Sequence, residues 1–597
     1  MAWHAYDYLF ALSMIFAFLD AYGIGANDVA NSWATSVSSR SVTFKQAMLG
    51  AAICEFLGAV LVGARVTSTI KNGVIDLKSF NGDAGVTLLA FTCVIIGASA
   101  WMTVATRMAM PVSTTHTVVG SLIGVGIAVR GNGSGVKWGW NGVAQIFASW
   151  GIAPVVSGGF AAIIFLVTKF LVLRSKNPVQ RGLILSPVYF FIVAAVLTTA
   201  IIVKGSPSLN LSELPTGTTI GAIFGTASVV SLLSILFWLP WVHCQVVRGD
   251  YTIRWYHIFL GPLLWRRQPP ADAFTSEQTR AVRDYYEGHH DEDHVRTSMQ
   301  ALDDVERSEN NSINEKQKYV ADNFVEGQQP QPEPGKEATQ QSAVPASPQR
   351  PFKSKLAALE AKLSRPANDT LPNGRPRPPD YKSFEGSWLE PWNLYTVLRY
   401  NALPWVWYTL TAGIRTDVHK MQMHGSSKEV TRLRGIHSHA AHYDNNAEHL
   451  YSFLQVMTAC TASFAHGAND VSNAIGPLSV VYSIWSSAAF PGSKEPVPVW
   501  ILAYGGAAIV IGLSTYGWKL MSVLGNRLTL HSPSRGFSME LGASCTVVIA
   551  SYLGLPVSTT QSITGATIAV ALCNGDWRSV NWKGFAWIFF VSHSIAD

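Results

Sequence analysis

Charge is what this sequence has least of. Asp, Glu, Lys and Arg make up 14% of its 597 residues and hydrophobic residues 48%, whereas a soluble domain carries about 25% charge. That balance excludes a soluble enzyme. The net charge of +6 is spread among loops with no basic stripe, which excludes a nucleic-acid binder. Cysteine is scarce too. Cys54, Cys93, Cys244, Cys460, Cys545 and Cys573 are scattered and form no C-x-x-C, so they read as buried small hydrophobes rather than a disulfide framework or a metal site. No G-x-x-x-x-G-K-[ST] is present, so the chain carries no ATP site of that kind. The N-terminus lacks a basic n-region and a small-residue cleavage site, and its first apolar run reads as a retained span.

What is there is a series of long apolar runs. A span needs roughly 20 mostly apolar residues. Candidate spans fall at 5–24, 44–64, 86–106, 111–129, 143–170, 187–204 and 218–243, then at 449–484, 498–518, 538–554, 556–573 and a short run at 584–592. The predicted architecture is an all-α polytopic membrane protein of about 12 segments, some of them re-entrant half-helices. It divides into a first membrane half (1–243), a long, largely disordered loop (244–446) and a second membrane half (447–597). Lys and Arg gather in alternate loops (Arg40, Lys45; Arg107; Lys169, Arg174, Lys176, Arg181; Arg248, Arg254, Arg266, Arg267), which puts the N-terminus outside and the long loop in the cytosol. The sequons at Asn132 and Asn210 then fall outside and are glycosylation candidates, while Asn310 and Asn368 fall inside. The loop's centre is acidic and Gln/Pro-rich, too polar to offset its ordering entropy. Its ends, Tyr251–Trp265 and Trp388–Leu410, are rich in Trp, Tyr and Leu and read as segments in the membrane interface.

Two strings recur. Gly25-Ala26-Asn27-Asp28-Val29-Ala30-Asn31 returns as Gly467-Ala468-Asn469-Asp470-Val471-Ser472-Asn473, and Pro111-Val112-Ser113-Thr114-Thr115 as Pro556-Val557-Ser558-Thr559-Thr560. Their order is kept and their separations, 83 and 86 residues from Asp to Pro, nearly match. This is an internal duplication. Seven crossings precede the insert, an odd number, so the copies are inverted, the plan of secondary transporters with a site at the repeat interface.

The recurring strings suit binding better than helix interiors. A carboxylate at membrane depth is costly and points to function, which singles out Asp28 and Asp470. The alternative is an Asp that merely caps a helix at the interface. Pro-Val-Ser-Thr-Thr places a proline at a helix start and hydroxyls beside the free N–H groups of the first turn, an oxyanion site. The alternative there is a helix start that only caps itself. An anion beside two aspartates is repelled strongly in a low dielectric. Bound cations remove the repulsion, and oxygen-only ligands suit Na⁺ rather than a soft transition metal. An anion carried with cations follows, and each net positive charge moved inward gains about 2.3 kcal/mol per 100 mV. The same ligands serve H⁺.

Together these strings resemble those of the inorganic phosphate transporter (PiT) family of sodium/phosphate symporters. The resemblance covers both membrane halves but not the insert. It implies sodium-coupled import of inorganic phosphate across the plasma membrane by an inverted-repeat protein that forms a homodimer, with no cofactor beyond the coupling ion. Phosphate contacts would come from Ser113, Thr114, Thr115, Ser558, Thr559, Thr560, Asn27 and Asn469. Sodium would be held by Asp28, Asp470, Asn31, Asn473, Glu55 and Glu540. Glu55 and Glu540 match the family pattern in one copy each, and could be ion ligands, proton acceptors or paired structural acids.

The second copy's last apolar run, about nine residues, cannot cross a ~30 Å bilayer core at 1.5 Å per residue, so the final helix reads as shortened. His437, His439, His442 and His449 read as a solvated surface segment. His116 and His466 either line the site or pack. The rival functions are a phosphate sensor that does not transport, a symporter for another oxyanion, and an intramembrane aspartyl protease. The last leaves the duplicated Ser-Thr-Thr unexplained.

Overall fold

In a bilayer a backbone must satisfy its own hydrogen bonds, and apolar runs do so as helices. The computed structural model describes residues 3–204, 214–271, 273, 281–287, 371, 374–422, 426–492, 497–553 and 555–593. Asn210, Asn310, Asn368 and the acidic and Gln/Pro-rich centre of the insert lie outside them. Among the described residues there is no strand, only an isolated bridge between Ile75 and Val136.

The first half contains α1 (Asp7–Asn27), α2 (Val29–Ser38), α3 (Phe44–Gly73), α4 (Ala84–Arg107), α5 (Thr114–Arg130), α6 (Val143–Thr168), α7 (Pro178–Lys204), α8 (Thr216–Leu233) and α9 (Leu239–Val246). The insert contributes α10 (Leu403–Arg415), α11 (Val418–Gln422) and α12 (Ser427–Ser438). The second half contains α13 (Asn445–Ser487), α14 (Val499–Val523), α15 (Pro533–Tyr552), α16 (Thr559–Leu572) and α17 (Trp582–His593). Helix starts follow local chemistry. Thr43 and Gln46 form a capping box for α3, and the Asp83 and Asp444 carboxylates accept from Val86 N and Ala447 N, each at 3.0 Å. Among the described residues seven helices are long and apolar enough to cross a membrane. At 17 and 14 residues, α5 and α16 are shorter than a full span.

The chain divides into two units. One comprises Met1–Tyr286 and Thr370–Asp597; the other, Glu287–Asp369, lies almost wholly outside the described residues. Both ends of the insert therefore belong to the first unit. Trp255, Phe259, Leu263, Trp392 and Trp407 in those ends are exposed, as interfacial anchors would be.

The repeat organises the packing. Helices α1 and α2 correspond to α13, α3 to α14, α4 to α15 and α5 to α16. Helix α1 packs on α14 and α3 on α13, so equivalent helices exchange partners. The match holds residue by residue. A Cβ on Gly25 would strike Ile509 O, and one on Gly467 would strike Glu55 O; Gly512 abuts Tyr22 O, and Gly58 abuts Phe464 O. Each crossing thus brings two helix backbones together through a pair of glycines. At the equivalent places Glu55 of one crossing is replaced by Ile509 in the other, and His466 by Ile24.

Three expectations need correction. Pro111 and Pro556 do not start their helices: Ser113 and Ser558 are the N-caps, and each proline lies two residues earlier. The six cysteines are all free, but only Cys244 is buried and Cys93 is exposed, because the bilayer, not the protein core, receives much of the apolar surface. The histidine cluster is not uniformly solvated. His439 is exposed, but His437 is buried and His449 half-buried. His437 Nε2 meets Asn526 O at 2.7 Å, and burial pushes its pKa down to about 4.

Substituting valine at Gly25, Gly58, Gly467 or Gly512 is expected to force a crossing apart. Overpacking of this kind costs about 1–3 kcal/mol, and the loss of the monodisperse peak in size-exclusion chromatography, or a lowered melting temperature, measures it. Valine at half-buried Gly73, where a Cβ meets nothing within 4 Å, is the control.

Candidate functional site

Both copies of both strings converge on one buried cluster. Asn27, Asp28, Asn31, Ser113, Thr114 and Thr115 are buried, as are Asn469, Asp470, Asn473, Ser558 and Thr560; Thr559 is half-buried. The spacing of G-A-N-D-x-x-N explains the division of labour. The first Asn holds its own copy. Asn27 donates to Met110 O (2.9 Å) and accepts from Val112 N (3.2 Å), and Asn469 donates to Val557 O (3.2 Å). The last Asn, one helical turn further along the same face, reaches the other copy. Asn31 donates to Thr560 Oγ1 at 2.8 Å, and Asn473 donates to Thr114 Oγ1 at 2.9 Å.

The aspartates sit between these ties. Asp28 occupies a one-residue break between α1 and α2, and its side chain caps neither helix. It accepts from Thr560 Oγ1 of the opposite copy at 2.9 Å and from Thr114 N at 3.4 Å. Asp470 lies within the continuous α13 and accepts from Asn469 Nδ2 at 2.7 Å and Thr559 Oγ1 at 3.2 Å. The serines act differently from the threonines. Ser113 and Ser558 oxygens accept from His116 N and Gln561 N of their own helices, so these two cap their own helix starts while Thr114, Thr559 and Thr560 face the aspartates; Thr115 instead donates to Val557 O at 3.5 Å. His116 is buried and packs on Trp150, ring centroids 3.7 Å apart.

His466 joins the cluster on one side only. Its Nδ1 lies 2.8 Å from Glu55 Oε2 and its Nε2 2.7 Å from Asp470 Oδ2. Ser463 Oγ donates to Glu55 Oε1 at 2.7 Å. With a proton on each nitrogen the ring donates to Glu55 through Nδ1, lies within ion-pair distance of Asp470 through Nε2, and offsets one of the two charges. Ligand atoms of Asp28, His466 and Asp470 all lie within 4.8 Å of one another, close enough to share an ion. A cavity of about 30 Å³ adjoins them, lined by Asn31, Ser32, His466, Ser544 and Thr559. That is room for a water or a bare ion, not for a phosphate. The site in this state is closed around its centre.

Glu540 lies apart from this cluster in a second polar pocket. Its carboxylate accepts from Thr35 (2.5 Å), Ser36 (2.6 Å), Thr458 (2.6 Å) and Gln455 (3.2 Å). All four donors are neutral, and three are hydroxyls whose oxygens have lone pairs to spare for a hard cation. Glu55 and Glu540 therefore sit in different surroundings, Glu55 against a histidine and Glu540 among hydroxyls.

Sequence reading missed several buried charges, Asp20, Glu448 and Arg535 among them. Asp20 in α1 is 3% exposed and has no hydrogen-bond partner among the described residues; Glu448 and Arg535 are fully buried. Glu448 accepts from Ser534 N, Ser534 Oγ and Tyr286 Oη at 2.8–2.9 Å. Asp20 was visible as a charge deep inside the first apolar run, 5–24. Glu448 and Arg535 lie near span ends, where a charge attracts no notice. Asn132 is exposed, its Oδ1 accepting from Ser134 N.

Two inverted helical repeats that meet on a buried, carboxylate-bearing polar centre define a secondary transporter. Comparison with known proteins agrees. The model of the phosphate transporter family matches residues 24–592. The chain is 42% identical over 604 residues to the phosphate-repressible phosphate permease pho-4 of Neurospora crassa, covering 99% of this chain and 95% of that one. It is 29% identical to the sodium-dependent phosphate transporter 1 of Mus musculus, covering 98% and 92%. A solved structure described as the sodium-dependent phosphate transporter shares the fold, with a TM-score of 0.57, 22% identity and coverage of 98% and 95%. The chain belongs to the phosphate transporter family. It is a multi-pass membrane transporter and not an enzyme.

If the cross-copy amides hold the site closed, Asn31→Ala and Asn473→Ala should each raise the phosphate KM. Loss of one buried hydrogen bond, at about 1–3 kcal/mol, corresponds to roughly 5- to 100-fold. Uptake kinetics in intact cells check this.

Proposed function

We propose that this chain carries inorganic phosphate into the cell by symport with sodium, across the plasma membrane, with its N-terminus outside and its long insert in the cytosol. The observation that carries the reading is the meeting of Asp28 and Asp470 with hydroxyl and amide groups from both copies. Carboxylates so placed must be compensated, and oxygen donors favour a hard cation. The phosphate is held by Ser113, Thr114, Thr115, Ser558, Thr559 and Thr560 with Asn27 and Asn469, at the starts of α5 and α16. Sodium is held by Asp28, Asp470, Asn31, Asn473 and Glu55, with Glu540 and its hydroxyl donors as a separate station. The sodium dependence named for the mouse relative supports the choice of ion. The working unit is a homodimer in the bilayer, as the family resemblance implies.

In this mechanism sodium enters first, because two aspartates repel an approaching anion. Phosphate then binds between the half-helix starts, which must separate, since the present cavity is too small for it. Release follows when the two copies rock about the glycine crossings and expose the same centre to the other side. A second reading, coupling to H⁺, draws on the His466 bridge between Glu55 and Asp470, a group able to take up and hand on a proton.

Asp28→Asn and Asp470→Asn are expected each to abolish sodium-driven uptake with surface expression intact; full activity in both would contradict the cation site. Thr115→Val and Thr560→Val are expected to raise the phosphate KM about 5- to 10-fold with sodium activation unchanged. A defect confined to sodium activation would contradict the anion assignment.

A further inference from the structure

Asp20 is a buried acid that the transport centre does not use. It lies in α1, about two turns before Asp28, is 3% exposed, and has no hydrogen-bond partner among the described residues. A carboxylate at that depth with nothing to pair it is costly and marks a site. We propose that Asp20 and Ser99 form a sodium station, where the ion pauses between the N-terminal ends of α1 and α4 and the Asp28–Asp470 centre.

The seam between α1 and α4 builds the station. The two helices pack together, run parallel and keep one register. Ser13 meets Thr92, Gly23 meets Met102 and Asn27 meets Thr106, each pair 79 residues apart. The same register sets Ser99 opposite Asp20. Ser13, Asp20 and Asn27 are therefore three polar rungs along one face of α1, about 10 Å apart at 1.5 Å per residue, with Thr92, Ser99 and Thr106 across the seam. The outer and inner rungs are closed. The Ser13 and Thr92 hydroxyls lie 2.9 Å apart, and Asn27 donates to Thr106 Oγ1 at 3.3 Å. At the middle rung no donor meets the carboxylate. Ala17, Ile24, Ile95, Ala98 and Met102 in the two helices are buried and apolar. The charge that acts on Asp20 is the Asp28 carboxylate, which has the same sign. A cation relieves both acids, and carboxylate and hydroxyl oxygens suit sodium.

The inverted copy supports the station independently. Gly97-Ala98-Ser99 in α4 recurs as Gly542-Ala543-Ser544 in α15, and Asp20 in α1 corresponds to Ala462 in α13. Ala462, Ala543 and Ser544 line the cavity of about 30 Å³ that adjoins the centre beside His466 and Thr559. The place that Asp20 fills in one copy is thus, in the other, a void of ionic size next to the transport site. Equivalent seams of an inverted repeat face opposite sides of the membrane. The α13–α15 seam then serves one side, and the α1–α4 seam, with its acid, serves the other. An ion held at Asp20 has Asp28 ahead of it, about 12 Å further along α1.

Because the station rests on the sodium coupling proposed above, wild-type activation is measured first in the same preparation. Labelled-phosphate uptake into proteoliposomes of the full chain is followed against external sodium for the wild type, Asp20→Asn, Asp20→Glu and Ser99→Ala. A wild type indifferent to sodium overturns the coupling and the station together. With wild-type activation present, Asp20→Asn is expected to raise the half-activating sodium concentration several-fold, while the phosphate KM at saturating sodium stays as in the wild type. Asp20→Glu is expected to behave as the wild type, and Ser99→Ala to raise the half-activating concentration less. The Asn variant keeps the side-chain volume, and an unaltered melting temperature shows that it folds. Should it not fold, unchanged sodium activation in Ser99→Ala overturns the station instead. Unchanged sodium activation in a folded Asp20→Asn overturns the station and leaves the coupling at Asp28 standing. A shifted pH profile with sodium activation unchanged overturns it as well, in favour of a proton at the same carboxyl.

Discussion

Two aspartates inside a protein that sits in a bilayer are the constraint on which the rest of this structure depends. Neither can stay charged and alone in a low dielectric. Asp28 is met by Thr560 and Thr114, and Asp470 by Asn469, Thr559 and His466. None of the threonine or asparagine donors carries charge, so the pair is hydrogen-bonded but only partly neutralised. The short helices α5 and α16 exist to bring hydroxyls and helix starts to that depth, and the glycine crossings exist to bring the two copies close enough to share them. A centre built this way is poised to take up a cation, and with a cation in place it ceases to repel an anion.

Duplication gave the two copies equal scaffolds but not equal chemistry. Gly25 meets Ile509 where Gly467 meets Glu55, and His466 stands where the first copy has Ile24. One crossing is therefore apolar and the other holds an acid and a base. Glu540, in α15, has no acidic counterpart at the matching place in α4, and its hydroxyl donors come from α2 and α13. Two carboxylate environments of different character arise from one repeated frame.

Much of this was legible in the sequence, for particular reasons. The apolar runs located most helices because the bilayer enforces helical hydrogen bonding along any such run. The recurrence of Asn27-Asp28 and Asn469-Asp470 revealed the repeat because both copies contribute the same polar groups to one buried centre. The roles inside the strings were not legible. Nothing in Pro-Val-Ser-Thr-Thr says that its serines cap their own helices while three of its four threonines reach the aspartates; that depends on where the N-cap falls, two residues beyond the proline. Nor does the string Gly-Ala-Asn-Asp-Val-Ala-Asn say that its last Asn crosses to the other copy, since the partner lies more than 350 residues away. Buried His437 and half-buried His449 at the end of the insert were misread because a polar sequence gives no sign of the tertiary wall, here Asn526 and Gln245, that covers it.

The central claim is that the Asp28–Asp470 centre couples phosphate movement to sodium. Its most direct test is accumulation of labelled phosphate in proteoliposomes of the purified chain, with sodium either concentrated outside or equal on both sides. The account predicts accumulation above the external concentration under the inward sodium gradient and collapse to equilibrium when the gradient is removed. Accumulation that ignores sodium and follows an imposed proton gradient instead would contradict it.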